Sequence, residues 1–115
     1  MKLPNVKDAT IPFAKIVGYL LSPTHLVGRS KAAFFAKHGF SAENWQVLAS
    51  ALRAHATDNA LSRVEMTAHG TRYVVDGPLC APDGERLNIR SVWFISRGAA
   101  VARFATAHPL PRIEP

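Results

Sequence analysis

One change of hydrophobic period, near residue 60, limits what this chain can fold into. Upstream, apolar residues recur at three and four positions. Phe13, Ile16, Val17, Leu20 and Leu21 form one stripe, and Trp45, Leu48, Ala49, Leu52 and Ala56 another. That spacing puts each set on one face of a helix. Downstream the period drops to two. Over Leu61 to His69, Val64, Met66 and Ala68 fall on one side and Arg63, Glu65 and Thr67 on the other. Arg86 to Ser96, R-L-N-I-R-S-V-W-F-I-S, is the longest strand signal. Helices gathered first and strands second predict an α+β domain, with three N-terminal helices packed on a four-stranded antiparallel meander sheet.

Turn and cap residues set the expected boundaries. Thr10 is placed to cap the first helix, with Pro12 in its first turn, and Ser22-Pro23 ends it. Gly28 allows the turn into a second helix, Arg29 to His38, whose packing face is Ala32, Phe35 and Ala36; Gly39 suits its C-cap. Ser41 is the expected cap of a third helix, Ala42 to Ala56, with Glu43 in the first turn. Gly70, Ala81-Pro82-Asp83-Gly84 and Arg97-Gly98 separate strands at Leu61–His69, Thr71–Leu79, Arg86–Ser96 and Val101–His108, and Pro109 and Pro111 end the last. No repeat, low-complexity tract or linker interrupts this order, so residues 1–115 read as a single domain.

The charge balance narrows the partners. Fourteen Lys and Arg stand against eight Asp and Glu, a formal net charge of +6, with a pI near 10.1. Such an excess concentrates polyanions around the chain: RNA, DNA or an acidic protein. The one cysteine, Cys80, rules out an internal disulfide and a cysteine-based zinc site, and its small neighbours suggest a buried small hydrophobe. The N-terminus lacks an apolar segment of signal-peptide length and no apolar run is long enough for a bilayer, so the expectation is a cytoplasmic protein with no membrane partner.

The groups suited to phosphate chemistry concentrate in Leu20 to Gly39, where His25, Arg29 and Lys31 fall within seven residues. His25 sits in a loop between helices, available as general base or acid because its ordinary pKa lies near neutrality, or simply as a surface histidine beside a turn. Arg29 and Lys31 open the second helix, where cations oppose the helix dipole; a phosphate or a partner carboxylate would neutralise them, and a solvated face is the plain alternative. Lys37 adds a further cation on the same helix.

Arg90 and Arg103 lie inside strands. Arg90 shares a face with Asn88, Val92 and Phe94, and Arg103 shares one with Val101 and Ala105. A guanidinium in mid-sheet needs a carboxylate, a phosphate or solvent. Asp76 is the structural candidate and an open phosphate-binding face is the other. Strict alternation puts Thr106 and His108 opposite Arg103, so a shared site requires a bulge between them. His38, His55 and His69 show no metal-ligand spacing. No H-E-x-x-H, paired-acid, P-loop or dinucleotide motif occurs, which argues against a metal site, a cofactor and nucleotide-dependent chemistry. Phe40, Trp45 and Trp93 read as core.

Taken together, L-P-N (3–5), Y-L-L-S-P-T-H-L-V-G-R-S-K-A-A-F-F (19–35), G-T-R-Y-V-V-D-G-P-L (70–79), P-D-G (82–84), R-S-V-W-F-I (90–95) and R-F-A-T-A-H-P (103–109) resemble an uncharacterised family of small bacterial domains. Its members are similar to standalone proteins encoded beside a short partner, and to the C-terminal tips of phage head-morphogenesis proteins and contact-dependent toxins. The order of elements resembles the barnase/EndoU/colicin/RelE-type ribonuclease toxins, a likeness of fold. His25 and Lys31 match the family's H-P-x-G-x-x-K segment, and Arg103 and Thr106 its R-x-x-T-A-[YF]-P ending. Leu26 departs from the usual proline, and His108 from the usual aromatic.

The resemblance implies a toxin-like, metal-independent endoribonuclease of a toxin–antitoxin or polymorphic-toxin system. The resemblance carries over His25, Lys31, Arg103 and Thr106 as catalytic residues; the residues themselves add His108 to that set, with Arg29, Arg90 and Lys37 binding phosphate. RNA would be cleaved through a 2′,3′-cyclic phosphate, and a small acidic antitoxin or immunity protein would be the partner. The alternative from another class is a non-catalytic nucleic-acid-binding or protein-interaction module, such as a phage-derived accessory or inhibitor protein.

Overall fold

The change of period falls where the sheet begins. The structure, a computed structural model, describes residues 1–26 and 28–111. A 3-10 turn, Val6–Asp8, leads to α1, Phe13–Lys15, which runs on as a π-helical stretch, Ile16–Leu20. The wide turn shows in the Leu21 amide, which donates to the Ile16 carbonyl five residues back at 2.7 Å. Helices α2, Arg29–Lys37, and α3, Trp45–Asp58, complete the helical half. Strands β1, Leu61–Thr67, β2, Gly70–Cys80, β3, Arg86–Ser96, and β4, Arg103–Pro109, pair in that order as an antiparallel meander. Among the described residues no helix is long and apolar enough to cross a membrane.

The pleat sorts the strands into two faces. Odd-numbered residues of β2 and β3, including Val75, Leu79, Leu87, Ile89 and Trp93, are buried with Phe104 and Ala107 of β4 against Ile16, Leu20, Phe35, Leu48 and Leu52 of the helices. Burying each large side chain stabilises the fold by about 1.5–3 kcal/mol. Trp93 and Phe104 meet edge to face at 5.3 Å.

One polar group is built into this core. His55 is 2% exposed. Its Nε2 lies 3.1 Å from the Gly77 carbonyl and 2.9 Å from the Ile89 carbonyl, which only accept, so Nε2 carries the proton. Nδ1 then accepts from the Ser91 hydroxyl at 2.9 Å, and Ser91 accepts from the Trp93 indole N–H at 2.9 Å. A neutral imidazole satisfies every member of the chain.

Several boundaries differ from those expected. Thr10 caps no helix: its amide donates to the Ala102 carbonyl and its carbonyl accepts from the Phe104 amide, a parallel bridge along β4, while Pro12 takes the N-cap. The third helix starts at Trp45, because Ser41 Oγ accepts from the Asn44 amide at 3.3 Å and closes a separate turn first. On α2, Ala32 and Phe35 are buried but Ala36 faces outward. Cys80 is exposed rather than buried, since it ends β2 on the face opposite the core. Val64 and Met66 are 48% and 87% exposed, because β1 is an edge strand and α3 lies over β2 and β3 instead.

A bulge in β4 shapes the other face. Trp93 pairs with Phe104 and Val92 with Thr106, so Ala105 is the extra residue. The slip returns Arg103 to the face that carries Thr106 and His108.

Candidate active site

The even-numbered face of the sheet forms cross-strand rows. Glu65, Arg72, Phe94 and Arg103 make one row, Arg63, Val74, Val92 and Thr106 the next, and Asp76, Arg90 and His108 the third. Side chains from the helices reach the middle of this face. Lys31 Nζ on α2 donates to Tyr19 Oη at 2.6 Å and to Thr106 Oγ1 at 3.1 Å, and the two hydroxyls are 3.3 Å apart. The π-helical stretch, α2 and β4 thus meet through one ammonium group.

Gly28 makes that meeting possible. A Cβ there would lie 2.2 Å from the Tyr19 carbonyl oxygen, so only glycine lets the start of α2 approach so closely. His25 packs edge-on against the Tyr19 ring at 5.0 Å, and its Nδ1 accepts from the Gly28 amide at 3.0 Å. The imidazole is held by the backbone turn that positions Lys31.

The local field is positive. Burial alone would raise the Tyr19 phenol's pKa, but hydrogen bonds from Lys31 and with Thr106, plus the charges of Lys31 and Lys15, bring it below its ordinary value. Lys31 also lies 4.8 Å from the ring centroid. His108 is lowered first by burial, then by the charges of Lys31 and Arg90, with Asp76 opposing. Its imidazole is therefore kept neutral at physiological pH.

The expected residues divide into two groups. Lys31, Thr106 and His25 gather around Tyr19, and His108 lies one row on, within the field of Lys31 and Arg90. Arg103 stands on the same face beside Phe94, exposed and with no ion pair among the described residues. Arg90 is engaged: Nε and Nη2 each donate to Asp76 at 2.8 Å, and this pair lowers the Asp76 carboxyl below its ordinary range. Asp76 thus fills the structural role open to it in the sequence. Arg29 lies with Ala33 and Ala36 around a hollow on another side of α2 from Lys31. Lys37 is exposed farther along α2, beside a cavity bordered by Pro78 and Asn88. His38 pairs with Asp83 at 2.9 Å.

Two residues of the face escaped the sequence reading. Tyr19 falls off the apolar stripe of the first helix, the one signal that its hydroxyl reaches the site while its ring packs against the core. Arg72, which donates to Glu65, alternates onto this face with no local motif to mark it. Among the described residues no three His, Cys, Asp or Glu side chains gather as a metal site requires.

The architecture is similar to that of a solved chain in a contact-dependent growth inhibition toxin–immunity protein complex from Klebsiella pneumoniae 342. The TM-score is 0.68 at 15% identity, over 88% of this chain and 99% of that one, a likeness of fold. No curated protein matches the sequence. The sequence does match one family over residues 2–111, nearly its whole length, and the chain belongs to that family, the domain of unknown function DUF6883.

Proposed function

We propose that this domain is a toxin-like, metal-independent endoribonuclease. The observation that carries the reading is the Lys31 ammonium, which bridges Tyr19 and Thr106 from three separate segments on a cationic sheet face. In the reaction, His108 takes the proton of a ribose 2′-hydroxyl and O2′ attacks the adjacent phosphorus. Lys31 and Arg103 stabilise the charge that develops on the phosphorane oxygens, and Thr106 hydrogen-bonds the phosphate. The P–O5′ bond breaks, and the His25–Tyr19 pair delivers a proton to the leaving O5′. The products are a 2′,3′-cyclic phosphate and a 5′-hydroxyl. A small acidic protein that covers the basic face is the partner this charge distribution suits, as an antitoxin or immunity protein would.

The test is incubation of purified protein with total RNA in the presence of a chelator. Cleavage is expected, and it disappears in Lys31→Ala and His25→Ala. RNA retained intact on the protein would instead support a second reading, a non-catalytic binding module.

A further inference from the structure

The cationic face does not end at His108. Pro78 pairs with Asn88 in the next row, and the Leu110 amide donates to the Asn88 carbonyl at 2.8 Å, so that row extends past β4 to Leu110. Helix α2 runs alongside. Lys31, Phe34 and His38 are spaced by three and four residues, so one side of the helix faces Thr106 through Lys31 and this last row through Phe34 and His38. Between them lies a cavity of about 660 Å³. Phe34, Pro78, Leu87 and Leu110 give it apolar walls, and Lys37 and Arg86 place cations at its margin. Glu85 and the side of Asn88 supply hydrogen-bonding groups.

We propose that this cavity holds a nucleobase of the RNA whose phosphate lies at Lys31 and Thr106, an inference that rests on the ribonuclease reading above. Successive residues on one face of a strand are about 6.6–6.8 Å apart. Two such steps, about 13 Å, separate Thr106 from Leu110, so the base held here belongs to the nucleotide next to the one whose phosphate lies at Lys31 and Thr106. Phe34 is half-buried and tilted against His38 at 5.1 Å, so one side of its ring is packed and part remains open for stacking. Asn88 uses its amide N–H on the Pro111 carbonyl at 2.7 Å, which fixes the side chain and leaves its carbonyl oxygen to accept from a base N–H. Lys37 and Arg86 meet the phosphates of the neighbouring nucleotides. The site is thus a groove with a phosphate end and a base end, and the base end gives the nuclease its sequence preference.

The experiment compares ribose 5-phosphate with 5′-phosphorylated dinucleotides of adenosine and of uridine, 2′-O-methylated so that they cannot be cleaved, titrated into the wild-type protein and followed by NMR. At least one dinucleotide is expected to bind about tenfold tighter than ribose 5-phosphate, the size of one base–aromatic stack, and to shift the Phe34 ring and Asn88 side-chain signals. Phe34→Leu, which keeps an apolar contact to the core, removes that advantage and leaves ribose 5-phosphate binding unchanged. Dinucleotides that bind no tighter than ribose 5-phosphate overturn the base site while the phosphate site stands. Wild-type shifts that avoid Phe34 and Asn88 overturn it independently of any variant. If none of the probes binds and RNA survives incubation, the ribonuclease reading falls as well.

Discussion

Replacing Gly28 by alanine tests whether the approach of α2 to the π-helical stretch sets the geometry of the site. The added Cβ would sit 2.2 Å from the Tyr19 carbonyl oxygen, a backbone atom that cannot swing aside, whereas ordinary contact begins at 3.4 Å. The segments must part by the difference, about 1.2 Å. Transmitted to Lys31, that displacement stretches its 2.6 Å bond to Tyr19 to about 3.8 Å, beyond hydrogen-bond reach. Overpacking of this kind costs about 1–3 kcal/mol, which a fold of ordinary stability survives. A misplacement of about 1 Å at a reacting centre lowers turnover by roughly 100-fold. Two assays follow the change. RNA cleavage should fall by about that factor, and the Tyr19 phenol, no longer held by Lys31, should titrate at higher pH than in the parent. A Tyr73→Phe background isolates this signal, as the chain has two tyrosines. Gly18→Ala is the control: nothing lies within 4 Å of a Cβ there, so it should be neutral or stabilise by about 0.5–1 kcal/mol. A folded Gly28→Ala protein with full cleavage and an unchanged Tyr19 titration would refute the reasoning.

Three further outcomes are expected. Burial lowers the His55 pKa against the opposing pull of the Gly77 and Ile89 carbonyls, so the unfolded chain takes up its proton first; stability should be level above pH 6.5 and fall as pH drops from there towards the lowered value. Chemical denaturation across that range checks this, and His55→Leu, which strands three hydrogen-bonding groups, should cost about 3 kcal/mol or more. Asp76→Asn should release Arg90 to bind phosphate, tightening RNA binding and steepening its salt dependence by about one counterion; filter binding at several salt concentrations reads both. The rate of RNA cleavage should trace a bell against pH, its acid limb below the ordinary histidine value because His108 is lowered and its alkaline limb below 10.0 because Tyr19 is lowered. In Tyr19→Phe the alkaline limb should vanish.

Local periodicity carried most of the fold. The switch from helical to alternating spacing placed the strands within two or three residues of where they lie, because pleat and helix face are properties of neighbouring residues. What failed depended on distant partners. Thr10 resembles a helix cap until β4 offers its backbone, and Met66 resembles a core residue until α3 is found to lie elsewhere. His55 was legible in principle, since it falls at stripe spacing from Leu48 and Leu52, and an ionisable group there must find hydrogen bonds. The site was harder to read. His25 and Lys31 stood out as a local cluster, but nothing in either segment says that Lys31 ends on Thr106, or that Tyr19 lies between them. The reason for Gly28 was equally hidden: it reads as a turn glycine, and its use is to admit a neighbouring carbonyl.

Ala105 ties the interior of this protein to its working surface. Upstream, the bridge from Thr10 fixes where Phe104 must lie, deep beside Trp93; downstream, Lys31 fixes Thr106. The surplus alanine takes up the mismatch in parity between those anchors. Shortening the strand by one residue there would force a choice, evicting the aromatic ring or turning the threonine away from its lysine. Homologues should therefore tolerate changes of side chain at this position far more readily than a change of length.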